Sequence, residues 1–318
     1  MNEKSLARKT KALLVDNFML IAFVAIIAVF SIFEKGFYSS SNMIEMLLRV
    51  AITAPIALGI MLSIILKGID LSPGTTLGLV GLTVAATIQG GGSLTTALVL
   101  ATLVGTLVGA LNGILISKFN IAPFIATLSI QFIGQSIERG WTRGGLPIYL
   151  YRNSGALADI YRGVFLGVPI PIVILAVIGV TYYLLLEKTI FGRRLYACGF
   201  SIKGAMNAGI NVRFYFFAVY VISGISSAVS GVIVASQVRS GQPLVGSSFL
   251  WDAIGAAFLS TLLSKRKVPN VVGTIVGTLL FSVIASGLTF MGLSFYWKMF
   301  FRGLIILLIL LAAASRRK

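Results

Sequence analysis

The sequence has no histidine and a single cysteine, Cys198. An internal disulfide is excluded, and the thiolate and imidazole ligands of most transition-metal sites are missing. Acidic residues are scarce, nine against 26 Lys and Arg, and charged residues make up 11% of the chain, compared with roughly 25% in soluble domains. No Gly-x-x-x-x-Gly-Lys-Ser/Thr phosphate loop is present, so the chain has no ATP cradle of its own. Without a histidine base, a ligand cluster or a pair of carboxylates at plausible spacing, it is not expected to be an enzyme.

What is present is apolar. The 318 residues are 57% hydrophobic, with a mean hydropathy of +0.98. Stretches near the ~20 residues needed to cross a bilayer recur from end to end. Ten helices are predicted at 17–33, 43–66, 73–89, 94–117, 121–138, 168–187, 214–236, 251–263, 270–290 and 295–314. The expected fold is an all-α polytopic membrane protein of about ten transmembrane helices, one domain over 1–318. The apolar run at 18–33 follows a basic start, but no small-residue cleavage site comes after it, so it is read as an uncleaved first span.

The net charge of +17 would suggest nucleic acid in a soluble protein. Here the basic residues sit in short clusters between apolar runs, which sets membrane topology and favours anionic lipid. With an even number of spans both termini share one side. Placing them inside puts 17 of the 26 basic residues on the inner segments. The 139–168 loop, with Arg139, Arg143, Arg152 and Arg162, then falls outside against the trend.

The 251–263 segment is too short to cross alone and 73–89 is marginal, so broken or re-entrant helices are expected there, near a pathway. Val104-Gly105-Thr106-Leu107-Val108-Gly109 returns as Val272-Gly273-Thr274-Ile275-Val276-Gly277, five spans later. Two readings fit: an inverted repeat, or two ordinary small-residue packing faces, the commoner case. In Gly68-Ile69-Asp70-Leu71-Ser72-Pro73, Ser72 reads as an N-cap and Pro73 as a first helical residue, with Asp70 beside the positive helix end. Between Glu187 and Arg213, Ser201 is placed to cap a short helix ending near Ala208, with Gly209 as its stop. This 187–213 segment suits either docking on a soluble partner or a solvated topogenic loop.

Gly68-Ile69-Asp70-Leu71-Ser72, Pro123-Phe124-Ile125-Ala126-Thr127-Leu128, Phe191-Gly192-Arg193 with Gly209-Ile210-Asn211-Val212, Ser223-Gly224, Asp252-Ala253-Ile254 and Tyr296-Trp297 with Arg302-Gly303-Leu304 follow one another in order. This series resembles the ribose-type permeases of bacterial ABC importers over nearly the whole chain. The resemblance implies a permease in the bacterial inner membrane, paired with a second copy or a paralogue. A cytoplasmic ATPase would hydrolyse ATP and an extracytoplasmic solute-binding protein would deliver a monosaccharide. It also implies ATPase coupling through Phe191, Gly192, Arg193, Gly199, Ala208, Gly209 and Ile210. One departure is the basic Ser264-Lys265-Arg266-Lys267 turn where such permeases carry a glycine-rich run; it points toward a second, different permease as partner.

For the solute path the candidates are Asp70, Ser72, Asn112, Gln131, Gln135, Trp251 and Asp252; Asp70 and Ser72 are equally capping residues, and Asn112 and Gln131 equally helix-to-helix bonds. Glu45 and Arg49, one turn apart, are expected to pair near an outer mouth, and Arg302 to snorkel. Alternatives are an ion-coupled carrier, or an ABC permease for autoinducer-2, nucleosides or branched amino acids. No cofactor is expected in the chain itself.

Overall fold

The computed structural model describes residues 36–150, 155–263 and 268–294, with isolated positions at 23, 26–28, 30–32, 296, 297, 299–301, 303, 304 and 307. Most of the predicted spans at 17–33 and 295–314, the basic turn at 264–267 and Arg302 lie outside the described residues.

The long helices are α1 (Ser40–Ile65), α2 (Pro73–Gln89), α3 (Leu94–Ser117) and α4 (Pro123–Trp141), then α6 (Ile170–Tyr183), α9 (Val212–Val238), α10 (Ser247–Leu263) and α11 (Val271–Phe290). Shorter pieces are β1 (Ile148–Tyr149), α5 (Gly155–Arg162), the β2–β3 hairpin (Val164–Phe165, Val168–Pro169), α7 (Ile190–Phe200), α8 (Ile202–Asn207) and β4 (Ser240–Gly241). The helix starts follow local chemistry. Side chains of Ser39, Ser93, Asn211 and Asn270 accept from backbone N–H groups of the first turns of α1, α3, α9 and α11, satisfying donors the helix leaves open. Pro73 and Pro123 occupy first positions, where a missing N–H costs nothing.

Five helices, α1, α3, α6 with its continuation to Lys188, α9 and α11, are long and apolar enough to cross a membrane. The 17-residue α2 and α10 are not among them. Lys67, Lys118 and the 187–213 segment gather at one end of the bundle, called here the basic end.

Helix α1 is nearly enclosed, packed by α9, α10, α11 and α6. Helix α9 runs antiparallel to it, with Ser230 Oγ donating to the Ile52 carbonyl at 2.7 Å. On its other side α9 meets α3 along Gly105, Gly109 and Gly113. A Cβ at Gly105 would stand 2.5 Å from the Gly224 carbonyl oxygen, and one at Gly109 would collide with that of Tyr220. Gly273 and Gly277 face α10 somewhat less tightly, where an added Cβ would stand 3.0 Å from Ser260 Cα and 2.8 Å from the Ala256 carbonyl oxygen. Both copies of the sequence echo are therefore close packing faces, each against a different helix.

Gly109→Leu is expected to separate α3 from α9, costing about 1–3 kcal/mol or more by overpacking. A lower melting temperature in detergent, against an unchanged value for Val99→Leu on the exposed face of α3, is the measurement that checks it.

Candidate functional site

Helices α2 and α10 are each preceded by an extended linker, and the two linkers bring their N-termini together inside the bundle. The first climbs from Lys67, which is left-handed at φ 61°, to Ser72. The second leaves α9 at Arg239 (φ 49°), pairs β4 antiparallel with β1, and descends along α2. Gly241 lies against Leu82, Leu244 (φ 63°) lies nearer the start of α2, and Gly246 abuts the Gly74 carbonyl. There is no room at Gly246 for a side chain.

Helix α4, parallel to α2, supplies the polar groups at this junction from one face: Gln131, Gln135 and Glu138, spaced i, i+4, i+7. Gln131 Oε1 accepts from the Thr75 N–H at 2.8 Å, so the first turn of α2 is capped by a neighbouring helix. Gln135 Nε2 lies 3.3 Å from Ser247 Oγ at the start of α10. Glu138 is fully buried and accepts from Thr75 Oγ1 at 2.6 Å and from the Leu244 N–H at 2.5 Å. Gly74, Gly78 and Gly134 leave the space these side chains fill. The Thr75 hydroxyl and the Leu244 N–H offset part of the cost of burying this carboxylate.

The reading of Ser72 as a side-chain cap is corrected. Its backbone is already helical (φ −64°, ψ −23°) and its hydroxyl makes no cap bond; it donates to Asp70 Oδ1 at 2.7 Å. Asp70 is buried, accepts also from the Ser72 N–H at 3.0 Å, and takes Ser223 Oγ on Oδ2 at 2.7 Å. It therefore ties the first linker to α9. Thr127 Oγ1 reaches the Ile69 carbonyl at 3.1 Å and adds α4. Tyr220, whose hydroxyl lies against Gly68, and Asn112 each keep one buried polar atom without a hydrogen-bond partner among the described residues.

Of the seven pathway residues expected from sequence, Asp70, Ser72, Asn112 and Gln131 thus sit inside the protein and bond within it. Asp252 is buried on α10, one residue beyond Trp251, which is 48% exposed. Gln135, Ser247 and Trp251 form an accessible polar and aromatic edge where α4 meets α10. Glu138 was missed because its partners are 63 and 106 residues away; an acid one helical turn beyond a Gln-x-x-x-Gln pair was the available signal.

At the basic end, α6 ends in a π-helical turn (Leu184–Lys188) and the chain folds into the α7–α8 hairpin. Thr189 and Ser201 cap α7 and α8, and Gly209 at φ 73° stops α8, as the spacing predicts. Phe191, Gly192, Gly199 and Ile210 hold the hairpin. Phe191 stacks near Tyr215 with ring centroids 5.2 Å apart, Gly192 touches the Leu186 carbonyl and Gly199 the Ile65 carbonyl, and the Ile210 N–H donates to Ala205. Arg193, Ala208 and Gly209 face out. Exposed apolar groups at the hairpin, Phe200 (88%), Met206 (61%) and Ile202 (45%), were not singled out from sequence. Lys67 Nζ reaches the Phe200 carbonyl at 3.4 Å, so the hairpin abuts the linker that carries Asp70.

The chain is 37% identical over 289 residues to ribose import permease protein RbsC of Bacillus subtilis, covering 91% of this chain and 89% of the relative. It is 32% identical to the protein of the same name from Haemophilus influenzae, covering 94% and 93%, and 31% identical to galactofuranose transporter permease protein YtfT of Escherichia coli, covering 86% and 80%. No solved structure matches. The family described as branched-chain amino acid transport system / permease component matches residues 42–310, and the chain belongs to it.

Proposed function

We propose that this chain is the permease subunit of an ATP-driven importer for a monosaccharide, acting by alternating access. The observation that carries the reading is the likeness to ribose and galactofuranose permeases over nearly the full length; a monosaccharide is what their named solutes share. The exposed apolar tip of the α7–α8 hairpin suits docking of a cytoplasmic ATPase, which would use the ATP. The solute runs along the Gln135, Ser247 and Trp251 edge, which is open to a second permease copy or a paralogue. A solute-binding protein delivers to the end opposite the hairpin.

The membrane is the bacterial inner one, with both termini and the basic end cytoplasmic and ten spans in all. Support for an inverted repeat comes from paired contacts. Helix α1 packs on α10 and α11 as α9 packs on α2 and α3, and α2 and α10 start side by side and run to opposite ends.

Reconstitution of the chain with its ATPase and binding protein tests the reading. Uptake of a labelled monosaccharide into vesicles should require ATP in the lumen that receives it and the binding protein outside, where the solute starts. Uptake driven by a proton or sodium gradient without ATP would overturn it in favour of an ion-coupled carrier.

A further inference from the structure

A second polar site lies within a single protomer, apart from the α4–α10 edge. At the end opposite the basic hairpin, a cleft of about 270 Å³ opens between the first turns of α1, the end of α5, the end of α9 and the facing ends of α10 and α11. Ligand pockets commonly measure roughly 300–1,000 Å³, so this one matches a single sugar ring better than a disaccharide.

Glu45 and Arg49, one turn apart on α1, both line it. They were expected to pair, yet no ion pair joins them among the described residues, and each keeps its hydrogen-bonding capacity toward the cleft. Across from them Gln237 Nε2 donates to Tyr161 Oη at 2.9 Å. Among the described residues that bond leaves the phenol proton and the Gln237 carbonyl free to meet a ligand. Burial and the nearby Glu45 charge push the Tyr161 phenol above its usual range, so it stays protonated as a donor. One wall is fixed from behind, where Ser286 Oγ donates to Asn42 Oδ1 at 2.7 Å and Asn42 Nδ2 to the Phe37 carbonyl at 2.7 Å. The rings of Phe249 and Phe290 supply apolar surface. A carboxylate acceptor, a guanidinium donor, a phenol, an amide and aromatic faces around a ring-sized space match the alternating hydroxyl and C–H faces of a pyranose or furanose.

We propose that this cleft binds a monosaccharide, one per protomer, on the side where solute arrives; the ligand class rests on the sugar-import reading above. Such a site is weak, because Glu45, Arg49 and Gln237 are solvent-exposed and solute must leave it quickly.

The test uses a Thr289→Cys reporter in a Cys198→Ala background, with a second reporter, Thr289→Cys with the buried native Cys198 retained, should the first assemble poorly. Maleimide labelling of the full chain is followed with D-ribose, D-galactose or L-leucine added at up to tens of millimolar. A sugar should slow labelling several-fold, and Arg49→Ala or Glu45→Gln should abolish the protection. Leu166→Cys, at an 89% exposed hairpin tip, should label at the same rate with or without sugar. No protection of either reporter by any sugar, while the complete importer accumulates that sugar, overturns the site. Protection by leucine alone overturns the ligand class. Protection by sugar in a chain whose reconstituted system moves no sugar supports the site and overturns the transport reading instead.

Discussion

Replacing Glu138 with alanine is expected to lower the melting temperature of the solubilised chain by several degrees and to cut uptake by the reconstituted importer on the order of tenfold. From a seat on α4, the carboxylate bonds both α2, through Thr75, and the linker entering α10, through Leu244. Alanine leaves a hydroxyl and a backbone N–H buried without partners and opens a cavity beside Gly78. Each stranded group costs about 1–3 kcal/mol, so a total near 3 kcal/mol is expected. Glu138→Gln keeps one acceptor oxygen and should recover part of both losses. An alanine variant with parental stability and uptake would mean that the junction is held by packing alone.

The second large effect is expected at the hairpin tip. Met206→Asp places a charge in the middle of the exposed apolar group formed with Phe200 and Ile202. If the ATPase covers this surface, the charge loses its water on assembly. Central interface positions are worth about 2 kcal/mol or more, so association should weaken roughly thirty-fold. Co-purification of the ATPase and stimulated ATP hydrolysis should both fall, while the melting temperature of the chain alone stays unchanged. Gly209→Pro should lower coupling by another route, because proline cannot adopt the positive φ of 73° found there. Arg193, exposed on α7, gives a milder case, and its reversal to Glu should reduce transport without blocking insertion. Normal ATPase binding by Met206→Asp would place the docking surface elsewhere.

Much of this architecture was legible because its signals are local. Pro73 and Gln89 bound α2, and Leu94 and Ser117 bound α3, at the predicted residues, since proline, glycine and serine act on the turn they occupy. The Ser201 cap and Gly209 stop were read for the same reason. The length deficit of 73–89 and 251–263 also carried real information, because both became helices that begin inside the bundle after an extended linker. α10 starts a turn early, at Ser247, as Gly246 can pass Gly74 only without a side chain.

The site was less legible. Asp70 and Ser72 were marked as pathway and capping residues, but Ser72 turned its hydroxyl to Asp70, and Gln131, 56 residues beyond Thr75 in sequence, took the capping role. Gln131 and Gln135 were chosen for being polar in an apolar run, which does not say whether a group faces solute or a neighbouring helix. Glu138 was overlooked because a carboxylate at a span end reads as interfacial until its tertiary partners are known.

Along α3 and α9 backbone meets backbone at Gly105 and Gly109, with no flexible side chains between to absorb a displacement. Packed surfaces of that kind change by whole steps rather than by gradual deformation. The two helices are therefore expected to move as one body, like a girder, if the chain changes shape during transport. The expected places for such movement are the two linkers beside it, one holding Asp70 and one anchored by Glu138, set like a pair of hinge pins.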